Sequence, residues 1–150
     1  MGNQMKGMLI GIARVRTRGG PVEEVKKVDV TPSMGIVGDA RGAIEDRQVT
    51  VLFREGWESA CRDLHVDLSW ILRRANLYVD GIKGPCSIGG RLRIGSVVLL
   101  VTQETDPCNL MERAFPGLRK ALTPEWRGGI CCSVISGGPL ITGDTVESFF

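Results

Sequence analysis

The sequence is poor in the residues that build metal sites and disulfide frameworks. His65 is its only histidine, and no two of its five cysteines form a CxxC pair. We therefore do not expect a zinc site of the usual cysteine and histidine type. An odd number of cysteines, in a chain whose first residues resemble no export signal, also argues against structural disulfides. Adjacent Cys131 and Cys132 would point to opposite faces of a strand, and the thiols are expected to be core residues or one reactive nucleophile.

Long apolar runs and a strong net charge are missing as well. The apolar run at residues 97–101 is far too short to cross a bilayer. The formal net charge of +2 is too small to indicate a nucleic-acid partner by itself. Neither a membrane nor a nucleic acid is therefore expected as a partner, and the cytoplasm is the expected location.

Glycine and proline, by contrast, are frequent. The 20 glycines and 7 prolines among 150 residues indicate many turns between short elements, which is typical of a β-rich fold. A hydrophobic fraction of 43% is enough for a real core, and the length fits one domain of ordinary size. We expect a single domain over residues 1–150 that is built mostly from β-strands.

Hydrophobic periodicity predicts seven or eight strands and two or three short helices. Strands are predicted over residues 6–15, 22–30, 48–53, 77–82, 92–94, 97–102, 130–136 and 145–150. Helices are predicted over 54–64, from about 67 to 72, and from 106 onward, with one further turn at 118–122. The polar stretch 31–47 is a long loop, and loops of that length are often functional. Together these elements predict a mostly β fold, a closed or nearly closed mixed β-barrel with the helices in its connections.

Cys108, at the start of the last predicted helix, is the residue best suited to nucleophilic chemistry. Asp106 as N-cap and Pro107 at the first helical position predict that the helix begins there. Cys108 would then face unpaired N–H groups and the positive end of the helix dipole, which favour a thiolate. Sulfur transfer, persulfide formation and a soft metal bond all need a thiolate, whereas a buried helix cysteine is the alternative. The buried stripe of this helix is predicted to consist of Leu110, Met111, Ala114 and Phe115.

Seven short motifs follow one another along the chain: Gly35-Ile-Val-Gly-Asp39, Asp46-Arg-Gln-Val-Thr50, Arg74-Ala-Asn-Leu77, Ile88-Gly-Gly-Arg-Leu-Arg-Ile-Gly95, Glu104-Thr-Asp-Pro-Cys108, Trp126-Arg-Gly-Gly129 and Gly143-Asp144. Their order and spacing resemble the MOSC family, named after the molybdenum cofactor sulfurase C-terminal domain. The resemblance implies a barrel like the inserted β-barrel domain of pyruvate kinase. It also implies a pocket for molybdenum cofactor (molybdopterin), in which Cys108 accepts or carries sulfur or ligates molybdenum.

Arginines and glycines in these motifs could bind an anionic ligand. Arg127 precedes two glycines whose bare backbone would let a ligand approach, and a guanidinium can bind a phosphate through two parallel hydrogen bonds. Asn76 offers both a donor and an acceptor, whereas solvated surface charge is the alternative for any single arginine. The predicted cofactor-binding residues are Arg47, Gln48, Arg74, Asn76, Arg127, Gly128 and Gly129, with Arg73 as an alternative to Arg74.

Three functions remain open from the sequence. The first is binding of molybdenum cofactor, or another phosphate-bearing pterin, with Cys108 carrying or transferring sulfur from a donor protein. The second is a non-catalytic binding or carrier module that holds the cofactor or a partner protein for another enzyme, such as a molybdoenzyme. The third is a role in detoxifying N-hydroxylated bases, which would need an external source of electrons. No aminotransferase-like domain precedes the motifs, so pyridoxal phosphate is not expected in this chain alone.

Overall fold

Residues 4–149 are described by the structure, a computed structural model, and they form eleven strands and three α-helices. The strands are β1 (Gln4–Val15), β2 (Val22–Val25), β3 (Lys27–Thr31), β4 (Gly35–Ile36), β5 (Val49–Phe53), β6 (Leu77–Asp80), β7 (Arg91–Ile94), β8 (Val97–Glu104), β9 (Ile130–Ser136), β10 (Gly138–Ile141) and β11 (Thr145–Phe149). The helices are α1 (Arg54–Asp63), α2 (Asn109–Ala114) and α3 (Leu118–Ala121). Short 3-10 helices cover Glu45–Arg47, Trp70–Arg73 and Pro124–Trp126.

Seven of these strands close into a mixed β-barrel, which confirms the predicted fold class. The order around the barrel is β1, β11, β7, β8, β9, β5 and β6, with β6 pairing back to β1. Neighbouring strands run antiparallel except β5 and β6, which are parallel. A parallel pair needs a long crossover connection, and this one contains α1 and the 3-10 helix Trp70–Arg73. The end of that 3-10 helix therefore lies next to the start of β6.

Side chains that alternate along the strands fill the barrel. In β7, Leu92 and Ile94 are buried while Arg91 and Arg93 are exposed, and every second residue of β8 is buried up to Val101. Each fully buried aliphatic side chain contributes about 1.5–3 kcal/mol, so this interior dominates the stability of the fold. Residue 150, where the last strand was predicted to end, lies outside the described residues.

The segment 22–30 differs from the single strand predicted for it. It forms β2, which pairs antiparallel with β1, and β3, which lies between β10 and β4 in a separate three-stranded sheet. The chain bends at Lys26, next to Val25, where the apolar alternation of the sequence breaks. Val28 and Val30 are both buried and alternate with exposed residues of β3.

Helix α1 follows β5 directly, as predicted, and packs on the outer side of the barrel wall. Trp57 and Ala60 of α1 share a second, smaller core with Leu52 and Tyr78. The Trp57 indole donates a hydrogen bond to the Leu68 carbonyl oxygen at 2.8 Å, which ties the helix to the segment that follows it. No helix within residues 4–149 is long and apolar enough to cross a membrane.

The predicted helix start at Asp106 and Pro107 is wrong. Helix α2 begins at Asn109, and Cys108 is its N-cap residue with an extended backbone (φ −122°, ψ −175°). Continued strand pairing is the reason, because the backbone N–H of Thr105 donates to the Gly129 carbonyl oxygen at 2.9 Å. This bond extends the β8–β9 ladder and keeps the chain from turning into a helix at once.

The predicted buried stripe of α2 is only partly correct. Met111 is 1% exposed and Phe115 is half-buried, but Leu110 and Ala114 remain exposed. A helix of six residues makes less than two turns, so it cannot direct all four side chains to the core. Two apolar side chains therefore stay on the surface close to Cys108.

Candidate functional site

A cleft of about 450 Å³ opens beside the start of α2. Its walls come from the turn after β1, the loop before β5, the segment around residues 73–76 and the segment between β8 and α2. Five arginines line it, namely Arg18, Arg41, Arg47, Arg73 and Arg74. Asp106 is the one acid among the lining residues that the structure describes. The cleft is therefore strongly positive and suited to an anionic ligand.

Cys108 lines this cleft, and its thiol is exposed. Cys108 is the N-cap residue of α2, but its side chain makes no capping hydrogen bond. Cys108 lies at the positive end of α2, but this helix has only six residues, so its dipole is weak. The arginines of the cleft supply the positive charge instead.

Arg73 is a buried cation that interacts with this thiol. The residue is 8% exposed, and its guanidinium donates from Nε to the Gly128 carbonyl at 3.0 Å and from Nη2 to the Thr105 carbonyl at 2.9 Å. Burial lowers the pKa of Arg73, while its electrostatic interactions with Cys108 and Cys131 act in the opposite direction. The two hydrogen bonds anchor the guanidinium between the segments that follow β8 and precede β9, so its position does not depend on a ligand.

Asp39 holds Arg41 and Asn76 in place behind the cleft. Its side chain is 1% exposed and accepts five hydrogen bonds, from the backbone N–H groups of Arg41 and Val15, from Nε and Nη2 of Arg41, and from Nδ2 of Asn76. Burial by itself would raise the pKa of Asp39, but the hydrogen bonds and charge of Arg41 outweigh it, and the pKa is lowered. Asp39 is therefore an ionised carboxylate that orients an arginine of the cleft.

Asn76 lies at the cleft wall with its amide fully used inside the protein. Its Oδ1 accepts from the Thr50 N–H at 3.0 Å and is 3.3 Å from the Thr50 hydroxyl oxygen. Its Nδ2 donates to the Ala13 carbonyl at 3.1 Å and to Asp39 Oδ2 at 2.7 Å. An amide has two donor hydrogens and two acceptor lone pairs, so these contacts occupy all of them. In this structure Asn76 joins β1, β5 and the chain before β6.

The two glycines after Arg127 differ in their surroundings. Gly128 lines the cleft, whereas Gly129 lies behind it with a φ of +100°. A Cβ at Gly129 would come within 2.3 Å of the Val51 carbonyl oxygen, and one at Gly128 within 2.6 Å of the Thr105 carbonyl oxygen. Neither position therefore has room for a side chain, because the backbone of the protein itself lies too close.

Arg127 and Gln48 are turned away from the cleft. The Arg127 guanidinium donates to Asp63 on α1 at 2.7 Å, on another part of the surface. Gln48 is buried, and its amide joins two segments by donating to the Pro32 carbonyl at 2.6 Å and accepting from the Val134 N–H at 2.8 Å. Both side chains hold parts of the fold together in this structure.

The structure thus brings part of the predicted set together and adds further residues. The predicted residues that line the cleft are Cys108, Arg47, Arg74, Asn76 and Gly128, and Arg73 lines it together with Arg74. The sequence assigned no role to Arg18, Arg41 and Asp39. The unusual length of the loop 31–47 was a signal for Arg41 and Asp39, whereas Arg18 had no signal beyond its charge.

Replacing Arg127 with glutamine is expected to leave anion binding in the cleft unchanged. Its ion-pair partner Asp63 is 58% exposed, and such a pair contributes about 1 kcal/mol or less to stability. We expect thermal unfolding to show a decrease in Tm of about 4 °C or less. Calorimetric titration with inorganic phosphate should give the wild-type affinity, and a marked loss would instead support the ligand-binding role predicted from the sequence.

The remaining cysteines lie outside the cleft. Cys131 and Cys132 are buried and face opposite sides of β9, as predicted, with Cys132 in the barrel core and Cys131 Sγ 3.2 Å from the Thr105 hydroxyl oxygen. Burial raises the pKa of Cys132 and, to a smaller extent, that of the exposed Cys86. No three histidine, cysteine, aspartate or glutamate side chains within residues 4–149 are grouped as metal ligands.

Solved structures with a similar fold are known. YuaD protein from Bacillus subtilis superimposes with a TM-score of 0.82 at 23% identity, over 99% of this chain and 98% of that one. YiiM from Escherichia coli gives a TM-score of 0.66 at 20% identity, over 94% and 69% of the two chains. YiiM from Geobacillus stearothermophilus gives 0.67 at 16% identity, over 95% and 72%. At these identities the likeness shows a shared fold.

The sequence itself gives the family. Among proteins with curated functions no significant match is found. Residues 19–147, which are most of the chain, match the MOSC domain. That span includes the segment that carries Cys108 and every arginine of the cleft except Arg18. The chain therefore belongs to the MOSC domain family.

Proposed function

We propose that this protein binds molybdenum cofactor, or a related pterin phosphate, in the arginine-lined cleft, where Cys108 carries or transfers sulfur. The MOSC family is associated with this cofactor. The observation that carries the proposal is an exposed thiol beside five arginines in one cleft. Sulfur transfer requires a thiol, and guanidinium groups match the geometry and charge of phosphate.

The residues of the cleft fit the charge and size of such a cofactor. Arg18 and Arg47 are exposed and, within residues 4–149, their guanidinium groups have no hydrogen-bond partner, so both can bind a phosphate. A cleft of about 450 Å³ is within the range of small-molecule sites, about 300–1,000 Å³. Cys108 would supply a soft sulfur ligand. The bound cofactor would supply a molybdenum centre able to exchange oxygen and sulfur ligands.

Sulfur loading of Cys108 needs a partner protein that carries a persulfide. The Cys108 thiolate attacks the outer sulfur of that persulfide, the S–S bond of the donor breaks, and the donor cysteine leaves as a thiolate. The new S–S bond makes Cys108 a persulfide, with no net oxidation or reduction. The positive charge of Arg73 interacts with the residue at which this exchange takes place.

Native mass spectrometry tests the binding part of this proposal. The chain purified from a host that makes molybdenum cofactor is expected to carry a pterin mass. Replacing Arg18 and Arg47 together with glutamine should lower its occupancy about tenfold or more, because each charged hydrogen bond to a phosphate contributes about 1.5–3 kcal/mol. Arg91→Gln, at an exposed position of β7 outside the cleft, is the matched control and should keep wild-type occupancy.

Two results would contradict this part of the proposal. Equal occupancy in the double variant and in the Arg91 control would mean that the arginines of the cleft do not bind the cofactor. A folded wild-type chain that carries no pterin from such a host, and takes up none when incubated with it, would exclude the cofactor as its ligand.

A further inference from the structure

An apolar groove of about 470 Å³ lies next to the arginine-lined cleft. Arg74 and Leu110 line both the cleft and the groove, so the two spaces share a wall. Beyond these two residues the groove is lined by Val22, Ile71 and Leu72, and by the Met111 side of α2. The cleft and the groove are therefore neighbouring depressions, one charged and one apolar.

The same two short elements build both parts. The 3-10 helix Trp70–Arg73 directs Ile71 and Leu72 to the groove, while Arg73 at its end lines the cleft. On the facing side, Cys108 at the start of α2 lines the cleft, and Met111 one turn later lines the groove. A molecule whose charged end lies beside Cys108 would thus have the groove directly next to its other end.

The groove is apolar surface that the protein leaves uncovered. Leu72 is 37% exposed and Leu110 is 43% exposed, and both are hydrophobic side chains beside the candidate site. Exposed apolar surface at a concave position next to polar groups is typical of a ligand site. Arg74 and Arg113 border the groove, and no acid is among its lining residues within the described chain. Guanidinium groups in this position favour an aromatic ring, on whose face they can stack, and a negative charge.

We propose that the groove binds the aromatic body of a small anionic substrate whose charged end lies at Arg74, the arginine that lines both the groove and the cleft. This inference rests on the proposed function, because it assigns a substrate class, aryl anions, to the site that contains Cys108. The size of the groove, comparable to that of the cleft, leaves room for one or two fused rings. An aliphatic chain would bury similar area but would lose the stacking on the two arginines.

Binding of two phosphates of different size tests the proposal on the chain produced in a host without molybdenum cofactor. By calorimetry, 1-naphthyl phosphate is expected to bind at least about tenfold more tightly than inorganic phosphate, because its rings remove apolar area from water. Leu72→Ser should remove most of this difference while the affinity for inorganic phosphate stays at the wild-type value, since Leu72 does not line the cleft. Ala114→Asp, which places a negative charge in the groove, should also reduce this difference.

Ile141→Ser is the matched control, since Ile141 is 46% exposed and lines neither space. It should keep the full preference for 1-naphthyl phosphate.

Equal affinities of the wild type for the two phosphates would overturn the groove proposal and leave the proposed function standing. Failure to bind either phosphate would instead argue against the anion site itself. A dimer in sedimentation experiments that Leu72→Ser dissociates would also overturn the proposal, because a second copy would then cover the groove.

Discussion

Replacing Cys108 with serine is expected to abolish sulfur loading while the barrel stays folded. A hydroxyl cannot displace a thiolate from a persulfide under the same conditions, whereas the thiol at this position is exposed beside five arginines. After incubation with a persulfide-carrying donor protein, denaturing mass spectrometry of the wild type should show an added mass of about 32 daltons, one sulfur atom. The Cys108→Ser chain should show none of this mass, and its thermal unfolding should be close to that of the wild type.

Cys86 offers a matched control for this experiment, because it is the other exposed cysteine among the described residues. Its thiol donates to the Glu125 carbonyl at 3.3 Å, and burial raises its pKa. A smaller fraction of Cys86 is therefore thiolate at neutral pH than for an ordinary cysteine. Cys86→Ser should therefore load sulfur like the wild type. Loading that survives in Cys108→Ser and disappears in Cys86→Ser would contradict the assignment. A wild type that retains pterin but never loads sulfur would favour a carrier without sulfur chemistry.

Replacing Asp39 with asparagine is expected to lower the free energy of unfolding by about 3 kcal/mol. One carboxylate oxygen accepts from the Arg41 backbone N–H and Nε, and the other accepts from Val15, Asn76 and Arg41 Nη2. Whichever oxygen the asparagine NH₂ replaces, it would face at least two donors. The substitution also leaves Arg41 without its buried counter-ion, so anion affinity in the cleft should change as well.

Chemical denaturation measures this loss, with Asp29→Asn as the control. Asp29 is an exposed aspartate of β3 outside the cleft, and surface substitutions of this kind change stability by about 0.5 kcal/mol or less. A loss of stability in Asp39→Asn no greater than in the control would contradict the role of Asp39 as the anchor of Arg41.

The effect of pH on the Asp39 variant has a defined sign. The pKa of Asp39 is lowered in the folded state, so its stabilisation is present above the unfolded carboxyl pKa of about 4 and is lost as the pH falls through the folded value. The difference in unfolding free energy between wild type and Asp39→Asn should therefore be largest near neutral pH and shrink below about pH 4. The other carboxylates titrate in both proteins, so their contributions to the pH dependence cancel in this difference.

The barrel strands could be predicted because each carries its own local pattern. The alternation in β7 follows directly from Leu92 and Ile94 between arginines, and the helical spacing of Trp57 and Ala60 places α1. The division of residues 22–30 into β2 and β3 could not be predicted in this way. It depends on the pairing of β3 with β10, more than a hundred residues later in the chain, which no local pattern reveals.

The start of α2 was also beyond local reasoning. Asp106 and Pro107 form a valid helix-start signal, but the hydrogen bond between Thr105 and Gly129 keeps the chain extended past it. The energy of a capping signal is about 1 kcal/mol, so continued strand pairing is enough to override it. Leu110 then stays on the surface instead of in the core, where it lines the groove.

The sequence by itself determined the family and the barrel and made Cys108 a candidate, because strand periodicity and short motifs are local properties of the chain. Only the tertiary structure decided which charged residues share a site. Arg73 is held in the cleft by carbonyl groups 55 and 32 residues away, and Arg127 is drawn out of it by Asp63, 64 residues away. A long, flexible arginine side chain points to wherever the fold places its hydrogen-bond partners, and those partners come together only when the barrel closes.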